Sequence, residues 1–305
     1  KIGKNAFAGN ENLKKIVLPD GICEIGWQAF SGGSNLESVI LPKSSPIVRA
    51  RAFDGCQNLI IESISETVIA QYTFAGCKSI KKFTFPETLD SIEYGAFLNC
   101  TEMEEIIFQQ NSEDNEDSLY YNIGERAFYG CTALKTVKLA EGLQTIESGA
   151  FRGCEALESL VLPESVTSLG THVIQDTKIQ SIIIPKNMRF CSRDMDGGDG
   201  PLSHCKTLKR VVLEEGMKTV PDYLCADAKS ITTVVIPSTV TSIGDGAFYN
   251  CTDLTDVYFD GTPEEWEKIA IGSNNTSLNG ATLIYHTHSY DSGEITAPTC
   301  TEQGY

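Results

Sequence analysis

Residues 143–163 read Leu143-Gln144-Thr145-Ile146-Glu147-Ser148-Gly149-Ala150-Phe151-Arg152-Gly153-Cys154-Glu155-Ala156-Leu157-Glu158-Ser159-Leu160-Val161-Leu162-Pro163, and they contain one complete structural unit. Leu157, Leu160 and Leu162 form an L-x-x-L-x-L run whose last residues follow the period of two of a short strand with one buried face. Pro163 ends the run, because proline cannot donate to a ladder. Leu143 and Ile146 read as a second brief strand on another wall. Between the two, the segment around Ala150-Phe151 reads as one helical turn, closed by Gly153 as a left-handed cap residue.

Counting outward from Phe151, the same ring position recurs at Phe7, Phe30, Phe53, Phe74, Phe97 and Phe128 before it, and at Ile174, Leu202, Cys225 and Phe248 after it. The ten spacings are 23, 23, 21, 23, 31, 23, 23, 28, 23 and 23, so seven of ten are identical. At 305 residues a prior of two domains applies, but such regularity belongs to a solenoid of about 11 turns. Prolines 19, 42, 86, 163, 185 and 237 stop the strand at the same point in each turn that carries one. The column two places after the landmark holds only Gly, Asn, Asp and one His (Gly9 to Asn250), nearly all residue types that tolerate positive φ. The residue before the landmark is Ala in seven turns, which leaves room for the ring inside. One such unit cannot bury its own apolar face, and stacking solves that. Strands ~4.8 Å apart make the array a rod of roughly 50 Å.

Seven of the 11 cysteines (Cys56, Cys77, Cys100, Cys131, Cys154, Cys205 and Cys251) stand three places after the landmark. Other turns have Asn10, Gly33, Thr177 and Ala228 there, all small, which suits a tight interior slot. A disulfide framework or a stacked-thiol metal site are the sharper alternatives. Stacked side chains point the same way, however, and the total is odd, so reduced core thiols are the expectation.

With 24 Lys plus Arg against 41 Asp plus Glu, the net charge of −17 disfavours a nucleic-acid backbone or an anionic membrane surface as partner. No apolar run approaches the ~20 residues a spanning helix needs. Lys1-Ile2-Gly3 opens in mid-motif, so the chain is expected to be a piece of a longer protein. Nucleophile elbows, phosphate-binding loops and dinucleotide fingerprints are missing, so an enzyme is not expected, and neither is a cofactor.

The pattern L-x-x-V-x-L-P…V-x-x-I-G-x-x-A-F-x-G-C, carried most fully by Ser242-Ile243-Gly244-Asp245-Gly246-Ala247-Phe248-Tyr249-Asn250-Cys251, resembles the BspA-type leucine-rich repeat of bacterial cell-surface proteins. The resemblance implies a leucine-rich-repeat solenoid over residues 1–260, on a secreted or surface-anchored protein, used for adhesion or binding without catalytic residues. Cys225 in the ring position, Pro221 and the two long spacings depart from the pattern. Thr262-Pro263-Glu264-Glu265 reads as a capping box opening a helix with Trp266, Ile269 and Ala270 on one face and Gly272 at its close. With the strand-like Ala281–Tyr285 it makes a C-terminal cap at 261–285, and 286–305 read as a linker or the start of a further module.

Candidate sites are few. Asp194, Asp196 and Asp199 on a glycine-rich loop suit calcium in type, but the distal glutamate of an EF-hand is missing and a plain turn is the leading reading. His286, His288 and Cys300 supply only three ligands, so no metal site is expected there. The acidic insertion 111–117 reads as a solvated excursion, with Tyr120 and Tyr121 beside it as a secondary contact surface. Outward positions of the main strands are unusually apolar: Val161, Ile183, Val212, Val235 and Tyr258 form the expected binding face for a protein or peptide, with Ser159, Ser181, Arg210, Thr233 and Asp256 as its polar rim. β-Propensity alone is the competing explanation of that column, and a purely structural spacer rod is the competing function.

Overall fold

The computed structural model describes residues 1–42, 46–110, 120–193 and 198–285. Each turn of the chain contributes a segment to each of three walls. The first wall holds Lys15–Val17, Ser38–Ile40, Lys82–Phe85, Glu105–Phe108, Thr136–Lys138, Ser181–Ile184, Arg210–Leu213, Thr233–Pro237, Asp256–Asp260 and Thr282–Tyr285. Where these strands pair they are parallel and follow chain order, as Ile182, Val211, Val234, Val257 and Leu283 show by lying side by side. Their alternate residues point inward: Phe83, Phe85, Ile106, Val211, Val234 and Phe259 are fully buried. The prolines behave as read. Pro19, Pro86, Pro185 and Pro237 follow or close a strand, and these four and Pro163 each offer a carbonyl to the N–H three residues on, which bends the chain toward the second wall. That wall consists mostly of two-residue strands, such as Ser91–Ile92, Ser168–Leu169 and Ser242–Ile243, with one residue of each buried.

The third wall carries the landmark ring. Instead of an isolated helical turn it is a run of i→i+3 turns: Ala6 N–H donates to Gly3 O at 3.3 Å, Ala8 to Asn5 O at 3.1 Å and Asn10 to Phe7 O at 3.1 Å. All eleven residues of the expected left-handed column have positive φ, from Gly9 (68°) to Asn250 (53°). A second left-handed position lies two residues before the landmark, at Asn5, Gln28, Arg51, Tyr72, Gly95, Arg126, Gly149, His172, Tyr223 and Gly246. The two flanking positions turn alternate N–H groups along the solenoid axis. Arg51, Phe53 and Gly55 thus donate to Gln71, Thr73 and Ala75 of the next turn at 2.9, 3.0 and 2.7 Å. The corner therefore keeps a ladder of its own.

Inside this corner the rings stack. Phe7, Phe30, Phe53, Phe74, Phe97, Phe128 and Phe151 follow one another with centroids 5.2–5.6 Å apart. Cys225 fills the same position fully buried, and its N–H reaches Ala247 O at 2.7 Å, so the smaller side chain leaves the backbone regular there. The column cysteines are free and buried. Their thiols make a further ladder: Cys56, Cys77, Cys100, Cys131 and Cys154 donate to the landmark carbonyls of Phe30, Phe53, Phe74, Phe97 and Phe128 at 3.1–3.3 Å.

Two local expectations need correction. Leu160–Leu162 keeps its inward–outward alternation but belongs to no strand, and the first wall divides there into a group ending at Thr136–Lys138 and one starting at Ser181–Ile184. The helix opened by the capping box is one turn, Pro263–Trp266, rather than a helix running to Gly272, and a second short helix, Thr276–Gly280, follows it. The capping box is formed, with Glu265 N–H on Thr262 Oγ1 (3.3 Å) and Thr262 N–H on Glu265 Oε2 (2.9 Å). Ala270–Ile271 then extends as a strand beside Ser242–Ile243, because the chain must continue the second wall before Thr282–Tyr285 closes the first.

Removing the ring of Phe151 opens a cavity in the stack, so Phe151→Ala is expected to cost ~3–5 kcal/mol in denaturant unfolding. The neighbouring Arg152 lies over the Tyr129 ring at 5.8 Å, a contact worth under ~1 kcal/mol when Arg152→Ala removes it. Burial pushes the thiols of Cys56, Cys205 and Cys251 up to about 12 from the ordinary value of 9.0. Their neutral form is favoured by folding, so this contribution to stability is complete below pH 9 and is lost as pH rises toward 12. Melting temperature should fall through that window, and less steeply in Cys56→Ala. In native alkylation at pH 8, Cys23, the exposed thiol among the described residues, should label first, whereas disulfide-linked column cysteines in mass spectrometry would contradict the assignment.

Candidate functional site

The outward side chains of the first wall stand at the surface. Val161 is 78% exposed and Ile183 55%, while Val212, Val235 and Tyr258 are half-buried by their neighbours in the row. Strand register sets Ile183 directly beside Val212, Val212 beside Val235, Val235 beside Tyr258, and Tyr258 beside Ile284. Two residues earlier on each strand, Ser181, Arg210, Thr233, Asp256 and Thr282 align in the same way. Four of the five expected face residues and four of the five rim residues thus lie on one continuous ladder. Val161 and Ser159 belong to the unpaired stretch beside it.

The middle of the wall differs chemically. Lys82 and Lys138 bracket Glu105, with Nζ–carboxylate distances of 3.1 and 3.0 Å across three strands. Their hydrogen bonds, that of Lys138 foremost, hold the Glu105 carboxyl below its ordinary range. This charged strip separates the C-terminal apolar column from a second exposed apolar pair, Val17 beside Ile40, at the N-terminal end of the wall.

Other positions singled out in the sequence are distributed elsewhere. Tyr120 is exposed, but Tyr121 is core: its ring stacks on Phe108 at 5.2 Å, and its hydroxyl donates to Ala140 O (3.0 Å) and accepts from Ala140 N–H (3.1 Å). It takes the inward position of a second-wall strand, Tyr121–Ile123, so only one of the two tyrosines can meet a partner. Residues 111–119, Asp194 and Asp196, His286, His288 and Cys300 lie outside the described residues. Asp199 is described, and its carboxylate faces His172 and His204, two side chains that the repeat pattern left as ordinary positions.

Two surface features of the third wall were not anticipated. Long side chains at the second left-handed column lie on aromatic neighbours: Arg51 covers the Tyr72 ring at 4.1 Å, Tyr72 meets Tyr94 at 5.2 Å, and Arg126 donates to Tyr94 Oη at 3.0 Å. The signal was Arg and Tyr recurring two places before the landmark. Further along, Tyr129, Arg152, Asp176, Lys206 and Thr207 line an open groove of ≈ 480 Å³, where Lys206 pairs with Asp176 at 3.4 Å.

Parallel short strands, stacked landmark rings and a broad regular face define a leucine-rich-repeat solenoid. A family model described as the BspA type leucine rich repeat region (6 copies) matches residues 1–123, 67–195, 121–255 and 198–287, and the chain belongs to that family. Among solved structures it is similar to a leucine-rich repeat protein from Bacteroides ovatus, at 21% identity over 94% of this chain and 88% of that one, with a TM-score of 0.53. That likeness is one of fold. A leucine rich cell surface protein from Faecalibacterium prausnitzii matches at 25% identity over 88% of this chain and 79% of that one, with a TM-score of 0.40. A leucine-rich repeat protein from Eubacterium ventriosum matches at 20% identity over 96% and 83%, with a TM-score of 0.48. A comparison with curated proteins returns no match. Family membership points to a protein-binding or structural role. No helix among the described residues is long and apolar enough to cross a membrane.

Tyr121→Phe tests the inward assignment. Removing the hydroxyl leaves both buried polar groups of Ala140 without that partner, which should cost ~1–3 kcal/mol of stability; a neutral outcome would return Tyr121 to the surface.

Proposed function

We propose that this solenoid is a non-enzymatic, extracellular binding module of a bacterial cell-surface protein, and that it captures a protein or peptide on the C-terminal part of its first wall. The observation that carries the reading is the apolar column Ile183–Val212–Val235–Tyr258, which stays at the surface of a strand ladder with a polar rim beside it. A water-facing sheet surface ordinarily alternates toward polar residues, and a contiguous apolar stripe rimmed by polar groups marks an interface. Tyr258 supplies the anchor type favoured at such centres, a large ring with a polar tip at low entropic cost. Surface location or secretion follows the family and is part of the same proposal. The competing reading, a spacer rod that presents other domains, is favoured by the unbroken ring stack from Phe7 to Phe151.

The two readings differ in side-chain specificity. A partner retained by the immobilised protein from host-surface or matrix extracts should lose capture at least tenfold with Ile183→Glu or Val235→Glu, while melting temperature shifts by less than about 2 °C. A spacer tolerates both substitutions, and also replacement of the whole solenoid by an unrelated rod, with attachment unchanged. A collapse of melting in the glutamate variants would instead make the column structural.

A further inference from the structure

Three polar side chains meet where the 28-residue spacing between Ile174 and Leu202 returns the chain to the third wall. His172 stands two places before one landmark, His204 two places after the next, and Asp199 lies at the end of the insertion that separates them. The two imidazoles stack with centroids 5.6 Å apart and planes 6° from parallel. His172 Nε2 lies 3.1 Å from Asp199 Oδ2, and His204 Nε2 lies 3.2 Å from Asp199 Oδ1. All three donor atoms fall within 4.8 Å of one another.

We propose that His172, Asp199 and His204 form a surface site for a divalent transition-metal ion of the zinc class, with the two Nε2 atoms and the Asp199 carboxylate as ligands and water completing the coordination. Two imidazole nitrogens with one carboxylate suit zinc, whereas calcium and magnesium demand oxygen ligands. Ligands at ~2.0–2.1 Å from one tetrahedral ion stand roughly 3.3–3.4 Å from each other, close to the two imidazole–carboxylate separations seen here. The same separations exceed the ~2.7–2.9 Å of a charge-assisted hydrogen bond.

The surroundings hold the ligands in place. His172 N–H donates to Gly200 O at 3.1 Å, which ties the first ligand to the residue after the second. Gly200 is itself locked: its N–H reaches Ser203 Oγ at 2.6 Å, that hydroxyl donates to Ala226 O at 2.6 Å, and a Cβ at position 200 would stand 2.0 Å from Tyr223 O. Behind His204, the largely buried Asp227 carboxylate lies 3.7 Å from Nδ1 and is balanced by Lys229 Nζ at 3.2 Å. At that distance the carboxylate acts on the imidazole through its charge, which raises the basicity of a metal-bound ring as an outer-shell carboxylate does. Asp176 and Lys206, paired at 3.4 Å, complete the charged groups nearby. An ion here would fasten two successive turns, and the net charge of −17 favours its approach.

The test is zinc titration by calorimetry on the intact, chelator-stripped chain, in a Cys23→Ser, His286→Asn, His288→Asn background that removes competing surface ligands. One equivalent should bind and raise the melting temperature, and cobalt in its place should give the visible absorption of a low-symmetry site. His172→Gln and His204→Gln should each abolish saturable binding, and Asp227→Asn should weaken it ~10- to 100-fold, all three with near-wild-type circular dichroism in the absence of metal. Asp199→Asn, which keeps the side-chain shape, guards against misfolding as the cause of loss. Undiminished binding in the His172→Gln, His204→Gln double variant overturns the proposal. So does an absence of binding by the parent, which would leave the trio as a hydrogen-bonded clasp, or a preference for calcium.

Discussion

Each repeat must turn its chain through a tight corner without losing the hydrogen bonds that tie it to the next repeat. An extended strand does this without help, since its N–H and C=O groups already point sideways; a turn does not. Here the solution is a pair of left-handed residues flanking the landmark, which swings the N–H groups two before, at and two after the ring onto the solenoid axis. Because the corner bonds as regularly as the strands, the landmark rings repeat at one spacing and stack. Because they stack, the slot beside them is narrow, and Ala before the ring and Cys after it follow from the available volume.

The thiols show how far this constraint reaches. Alanine would fill much of the slot, yet the column favours cysteine, whose sulfur also finds the second lone pair of a landmark carbonyl in the preceding turn. A weak donor in a dry interior supplements a bond already made, as at Phe30 O, which accepts from Gly33 N–H as well. The reduced state is therefore part of the packing.

What could be read from the sequence was whatever the backbone restricts chemically. The left-handed column after the landmark was legible because Gly, Asn and Asp crowd it. Its counterpart before the landmark was harder to read, since Gln28, Arg51, Tyr72 and Arg126, all with φ near 55°, are long side chains that carry no mark of a left-handed backbone. The first-wall interruption escaped for a related reason: Leu157-x-x-Leu160-x-Leu162 carries the full pattern, and pairing depends on the strands to either side. Tyr121 was misplaced because it follows an acidic insertion, although it occupies the inward position of the second wall. The face residues were legible by alternation alone. His172, Asp199 and His204 were not, because their approach depends on how the long spacing rejoins the wall.

The breaks in the two strand walls have a mechanical consequence. The first wall parts between Thr136–Lys138 and Ser181–Ile184, but there Leu143–Ile146 and Ser168–Leu169 remain paired across the gap. The second wall parts between Phe190–Cys191 and Thr219–Val220, and there Ser181–Ile184 stays paired with Arg210–Leu213. Around Phe53 the arrangement differs. Among the described residues, neither Ser38–Ile40 nor Ile47–Val48 pairs with the following strand of its wall, and the next spacing is the short one of 21 residues. Cohesion along that joint falls chiefly to the corner ladder and the Phe53–Phe74 contact. A solenoid is a linear chain of nearest-neighbour couplings, so its weakest coupling sets where cooperativity divides. Under load the repeats that carry Phe7, Phe30 and Phe53 would detach as a block, which makes this joint a built-in fuse for a rod pulled from its ends.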